Sequence, residues 1–330
     1  MELDEIQLLA IKAESTYDVD PTPAVTADLI PCTNLRWEPA STRISPKPLR
    51  HGHARTSGHN SRKHVVLRFD YQLRGNGTIQ AGAIGQKVEI DPLLLAADLA
   101  ATYTAESTPA AGDGFVTYAP TVPVTDGASV TAYWWTQGKL HKLTGGKVNI
   151  ERVRYTADQF AIVTFAIMGR WLAPADTTFP SATANFLVST KPPIFAGGTI
   201  TYNGSTALVI ENAEWTLGNE IVPRFGANST DGIKGFRIVD RLVAGSFDPE
   251  AELVATQDFW GQFAASTNFA ASISLGSTAG NRVAVTIGDI EIIGAPYGAR
   301  NKMRTHQIQF EACRDSVASG PNAEFSLKFS

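Results

Sequence analysis

The chain has 330 residues, 28 Lys+Arg against 32 Asp+Glu, a formal net charge of −4, and two cysteines. That length holds one large or two ordinary domains with a full core. Cys32 and Cys313 match no metal or redox spacing and read as free thiols, and no apolar run approaches the roughly 18 residues of a membrane span.

The opening MELDEIQLL carries acids where a secretory signal has Lys or Arg, so the protein is expected in a bacterial-type cytoplasm or in an assembly made there. In YDVDPTP, Pro21 and Pro23 block a helix, and an extended N-terminal arm is expected, lying on a neighbour or along its own sheet.

Between Glu38 and Asp70 stand Arg43, Lys47, Arg50, Arg55, Arg62, Lys63 and Arg68 with His51, His53, His59 and His64, and no acid. Without these cations 21 Lys+Arg face 32 Asp+Glu, so a basic segment projects from an acidic body. Its middle, PKPLRHGHARTSGHNSRK, predicts a long exposed loop. Such an arm suits docking on a second copy, because charge complementarity steers and orients association. The histidines invite a metal, but no Cys, Asp or Glu completes a shell and the surrounding cations oppose a divalent ion. Seven cations could also neutralise phosphates, yet the loop offers no aromatic ring for base stacking.

VVLRFDYQL alternates as a strand with one wet face, and Gly75-x-Gly77 reads as a turn. Asp91-Pro92 predicts the start of a helix running through LLLAADLAATY to Tyr103. ASVTAYWWTQ, HKLTGGKVNIERV and QFAIVTFAIMGRW follow as strands, with a turn at Gln137-Gly138. Trp134 and Trp135 suggest a sugar platform, but adjacent strand residues point to opposite faces. From Leu172 to Gly198 the composition turns to Pro, Ala, Thr and Ser, which reads as a linker. The expected division is a first domain over 1–171, a linker over 172–198 and a second domain over 199–330.

The second half repeats the first. In order, Trp37 aligns with Trp215, Arg68 with Arg237, Asp91-Pro92 with Asp248-Pro249, LTGGKVNI with VTIGDIEI at an offset of 142, and Val163/Phe165 with Ile308/Phe310 at 145. Asp248-Pro249 is again expected to open a helix, EAELVATQDFWGQF. The repeated unit is mostly β with a minor α part, a barrel or sandwich with one flanking helix per copy. By the two-residue strand period, Val148/Ile150 and Ile290/Ile292 are buried while Lys147, Asn149, Asp289 and Glu291 face water. No G-x-S-x-G, P-loop, H-E-x-x-H, paired C-x-x-C or EF-hand pattern is present, so no catalytic residue, metal ligand or cofactor site is assigned and the chain does not read as an enzyme.

LLAIKAESTYDVDPTP, the phrase SVTAYWWTQGKLHKLTGGKVNIERV with the apolar strand and APAD turn after it, and the repeat together resemble the tail tube (major tail) proteins of long, flexible-tailed phages. The resemblance implies a virion protein assembled in the host cytoplasm, whose rings stack into a tube with an inner β-barrel that passes double-stranded DNA. It implies self-association, transient contact with a tape measure protein in the lumen, and terminator and baseplate or initiator proteins at the ends, with no membrane insertion. The arm residues Arg43, Lys47, Arg50, His51, His53, Arg55, His59, Arg62 and Lys63 would reach a neighbouring ring, and the polar strand face would line the lumen. Two copies per chain imply a homotrimer with a pseudo-hexameric ring in place of a hexamer. The competing reading is a virion carbohydrate-binding or adhesion module using the aromatic strand.

Overall fold

A computed structural model of the protein describes residues 6–49, 51–75, 77, 87–108, 113–123, 125–180, 190–204, 208–313 and 324–330. Arg50, the first five residues and part of the expected linker lie outside them. Among the described residues the fold is mostly β, with 55% strand and two short helices.

In the first half β1 (Leu8–Ala13), β2 (Thr33–Ile44) and β3 (His59–Gln72) precede helix α1 (Asp91–Ala96). After it come β4 (Leu99–Thr104), β5 (Phe115–Pro120), β6 (Val130–Thr136), β7 (Lys139–Thr156) and β8 (Ile162–Asp176). In the second half β9 (Thr199–Tyr202), β10 (Ile210–Thr216), β11 (Asn219–Phe225), β12 (Ile233–Arg241) and β13 (Ala244–Pro249) precede α2 (Phe259–Ala265). There follow β14 (Phe269–Leu275), β15 (Val283–Gly294), β16 (Tyr297–Arg300), β17 (Met303–His306), β18 (Ile308–Cys313) and β19 (Ser326–Phe329).

One antiparallel sheet runs β2-β3-β8-β7-β10-β13-β18-β15-β19-β5-β4, with β6 then β1 added to β7, and β14 then β9 added to β15. β11-β12 and β16-β17 are separate hairpins. Two stretches share one order: β1-β6-β7-β8-β3-β2 reads strand for strand as β9-β14-β15-β18-β13-β10, and in both the helix falls between the third and fourth of these strands in the chain. The match extends to a bulge. β7 sets Ile150 opposite Phe165 and slips before Arg152; β15 sets Ile292 opposite Phe310 and slips before Gly294.

The expected alignments of LTGGKVNI with VTIGDIEI and of Phe165 with Phe310 therefore agree with the strand pairing, while the other three need correction, among them Asp91-Pro92, which opens α1, with Asp248-Pro249, which ends β13. β3 sets Arg68 between Arg36 and Ala166, and β13 sets Ala244 between Thr216 and Glu311. Arg68 thus corresponds to Ala244, and Arg237 sits in a hairpin of different length. Trp37 corresponds to Leu217, two residues past Trp215 on the same strand face.

Alternation in β3 buries Val65, Leu67, Phe69 and Tyr71, each at most 1% exposed. They join Val148, Ile150 and Phe165 from the first half and Trp215, Phe247, Ile292 and Phe310 from the second in a single core. Each such side chain contributes roughly 1.5–3 kcal/mol on burial, so the shared core holds the two halves together.

Both helices are shorter than expected. α1 stops at Ala96; Asp98 takes a left-handed φ of 57°, and the alternating LAATYT becomes β4. Asp248-Pro249 ends β13 and opens no helix. α2 begins at Phe259, after Asp258 has accepted a hydrogen bond from Gly261 N at 2.7 Å. β8 runs through the expected APAD turn to Asp176, paired there with Lys139.

Candidate assembly interface

The basic segment is a hairpin arm whose two legs extend β2 and β3. Arg43 lies opposite Asn60 and Ile44 opposite His59, so strand pairing continues further out than the loop composition suggested. Arg43, Lys47, His51, His53, Arg55, His59 and Arg62 are exposed, and Leu49 and Ile44 stand in solvent beside them. The base of the arm rests on the other half. The Arg62 guanidinium covers the Phe225 ring at 3.9 Å and His64 packs on Phe236, while Lys63 lies 5.5 Å from the Trp171 ring of its own half.

The face of the sheet opposite the core carries Arg68, held by Glu38 at 2.7 Å and Glu151 at 2.9 Å. Asp70 accepts from Thr164 at 2.6 Å and from Asn34 at 2.8 Å. Glu214 and Gln309 continue this polar face, exposed, into the second half.

Of the four residues expected to face water, Lys147 does not. It is 0% exposed, with Nζ 2.8 Å from Ala128 O and 3.2 Å from Asp98 Oδ1. Burial pushes the lysine down from its ordinary pKa and pushes the Asp98 carboxyl up. Lys147 alternates with the core residue Val148, and β11, β12 and the chain before β6 lie over it. Asn149, half-buried, accepts from Asn219 N at 2.9 Å. Asp289 and Glu291 are half-buried at the corresponding place on β15, and the Cys313 thiol points to Glu291 at 3.7 Å.

The halves meet where β10 joins β7. Trp215 lies opposite Val153, Leu217 N donates to Ile150 O at 3.0 Å, and the Asn219 amide donates to Ala97 O and Val148 O. The N-terminal segment runs along its own sheet, β1 against β6, and then reaches β12 of the second half through Tyr17. Glu14 accepts from Ser129, Thr131 and Gly145 N; Asp18 holds Arg170 at 2.8 Å and Thr144 at 2.7 Å. These residues escaped sequence reasoning, because their partners are more than a hundred residues away and no periodicity marks them.

Tyr133 and Trp135 share one small cluster, whereas Trp134 lies on the opposite face, stacked on His141 at 4.6 Å and tilted against Trp37 at 5.7 Å. Among the described residues no group of three His, Cys, Asp or Glu is placed to hold a metal ion, and no helix is long and apolar enough to cross a membrane.

Residues 6–312 match the family model described as phage tail tube protein, and a search of curated proteins finds no match. The match takes in both sets of corresponding strands, the arm and the junction between them. The chain belongs to the phage tail tube protein family: it is a structural, non-enzymatic component of the virion.

Proposed function

We propose that the chain is two tail-tube units fused in tandem, that three chains close a pseudo-sixfold ring, and that stacked rings form the conduit for the genome. The observation that carries this reading is the repeated strand order with its repeated bulge, two equivalent units in one chain. The units are residues 1–171 and 199–330, joined through 172–198. The loop of the arm, with His51, His53 and Arg55 at its tip, reaches the next ring. The polar face bearing Arg68, Asp70 and Glu214 lines the lumen, where Asp70 and Glu214, the carboxylates that do not pair with Arg68, repel phosphates over a Debye length of ~10 Å at 0.1 M salt. DNA and a tape measure protein occupy that lumen in turn, and terminator and initiator proteins cap the ends.

Negative-stain electron microscopy of the concentrated protein tests this, with and without residues 43–64. Stacked rings with a central hole, lost on deletion of the arm, are expected. A protein that stays monomeric under every assembly condition contradicts the reading.

A further inference from the structure

The junction between the halves uses two strand edges, and their counterparts are left open. β6 and β10 both lie on the edge of β7 away from β8, β6 as far as Gly146 and β10 from Val153 on. On β15, β14 occupies the same edge as far as Ile290. β2, the counterpart of β10, is the last strand of the sheet and pairs with β3 alone. Among the described residues, no strand of the chain pairs with the outer edge of β2 or with β15 from Glu291 to Gly294 on its β14 side.

These edges carry apolar side chains short of the burial their counterparts reach. Trp215 and Leu217 are 3% and 0% exposed at the junction, whereas the corresponding Leu35 and Trp37 are half-buried. Ile293, at the bulge of β15 where β7 carries Glu151, is 48% exposed.

We propose that β2 of one chain joins β15 of a second copy as β10 joins β7 within one, an inference that rests on the ring reading above. The correspondence fixes the register. Leu35 lies opposite Ala295 of the neighbouring copy, and Trp37 N donates to Ile292 O, as Trp215 lies opposite Val153 and Leu217 N donates to Ile150 O.

Charge supports the same partner. Within the chain, β11-β12 lies over Lys147 and Asn149. The counterpart of that hairpin is the outer part of β2 and β3, and the counterparts of Lys147 and Asn149 are Asp289 and Glu291. The arm that would cover two carboxylates is thus the one that carries Arg43 and Lys47. The arm's base then seals a ring while its loop remains free to reach the next one.

The test is Leu35→Cys with Ala295→Cys in a chain also carrying Cys32→Ser and Cys313→Ser. Oxidation of assembled protein is expected to give disulfide-linked dimers and a closed covalent trimer, absent from each single-cysteine chain. Amide exchange of the natural protein gives a second reading if the variant does not assemble. Exchange at Leu35 and Trp37 should slow by roughly tenfold or more on assembly. Rings that form without this cross-link and without slowed exchange overturn the edge pairing and leave the ring reading standing. Failure of the natural chain to form any ring overturns both.

Discussion

The hydroxyl of Tyr17 accepts the amide of Phe236 at 2.6 Å across 219 residues of sequence, and donates to Gly145 O at 3.2 Å. It ties the N-terminal segment to β7 and β12 at once. Gly235 leaves room for it, since a Cβ there would come within 2.6 Å of the hydroxyl oxygen. Burial raises the phenol from 10.0 to about 12. The folded protein therefore keeps the proton longer than the unfolded chain, and the stability that this supplies is full below pH 10.0 and is lost as pH rises toward about 12. Tyr17→Phe should cost about 1–3 kcal/mol at neutral pH by leaving two buried backbone groups unpaired. It should also flatten the alkaline limb of a stability profile measured by urea unfolding.

The buried Lys147–Asp98 pair predicts an asymmetry between single and double variants. Lys147→Met leaves a carboxylate without its cation and should cost about 3–5 kcal/mol, whereas Lys147→Met with Asp98→Leu should recover most of that loss. In the single variant the Asp98 pKa lies still further above its unfolded value. Its stability should then be greater at low pH and fall as pH rises through the folded value, so the defect shrinks on acidification. Denaturant melts of the three proteins at pH 5 and pH 7 check both points.

Arg62 over Phe225 is one of the contacts that hold the base of the arm. Arg62→Ala should cost only about 0.5–1 kcal/mol in the isolated subunit. Hydrogen exchange over residues 59–64 should quicken while the strands of the core keep their protection. The loop at 45–58 is expected to exchange freely in the subunit and to gain protection in tubes.

Gly245 lies tightly against its paired strand in the second half. A Cβ there would lie 2.3 Å from Glu214 O and 2.6 Å from the Phe310 ring. The carbonyl belongs to the paired strand and cannot step aside, so Gly245→Ala should cost about 1–3 kcal/mol by thermal or urea unfolding.

Strands and repeat were legible in the sequence because period-two alternation is a local signal. VVLRFDYQL needed only neighbouring residues, and the match of LTGGKVNI to VTIGDIEI needed only two short segments compared side by side. Lys147 shows where local signals stop, since its face followed from parity but its cover comes from Asp98, Ala128 and a hairpin far along the chain. The helix expected to reach Tyr103 failed for a related reason. Leucines at 93, 94 and 95 gave a helical start, but the stop lay in the backbone of Asp98 and in β5, the strand that β4 pairs with. Trp37 and Trp215 misled by identity, because equal side chains on equal faces hid a two-residue shift.

The junction of β10 on β7 also bears on how fast a ring can start. Two units on separate chains must find each other at whatever concentration the cell supplies, and each encounter forfeits translational and rotational freedom. Covalent linkage turns that search into an intramolecular one, with an effective concentration on the millimolar scale for short linkers. In a ring of three chains, half of the unit-to-unit junctions are then complete before any collision. On the proposed ring of three chains, nucleation would depend on three molecules in place of six, and its rate would fall less steeply as the subunit is diluted.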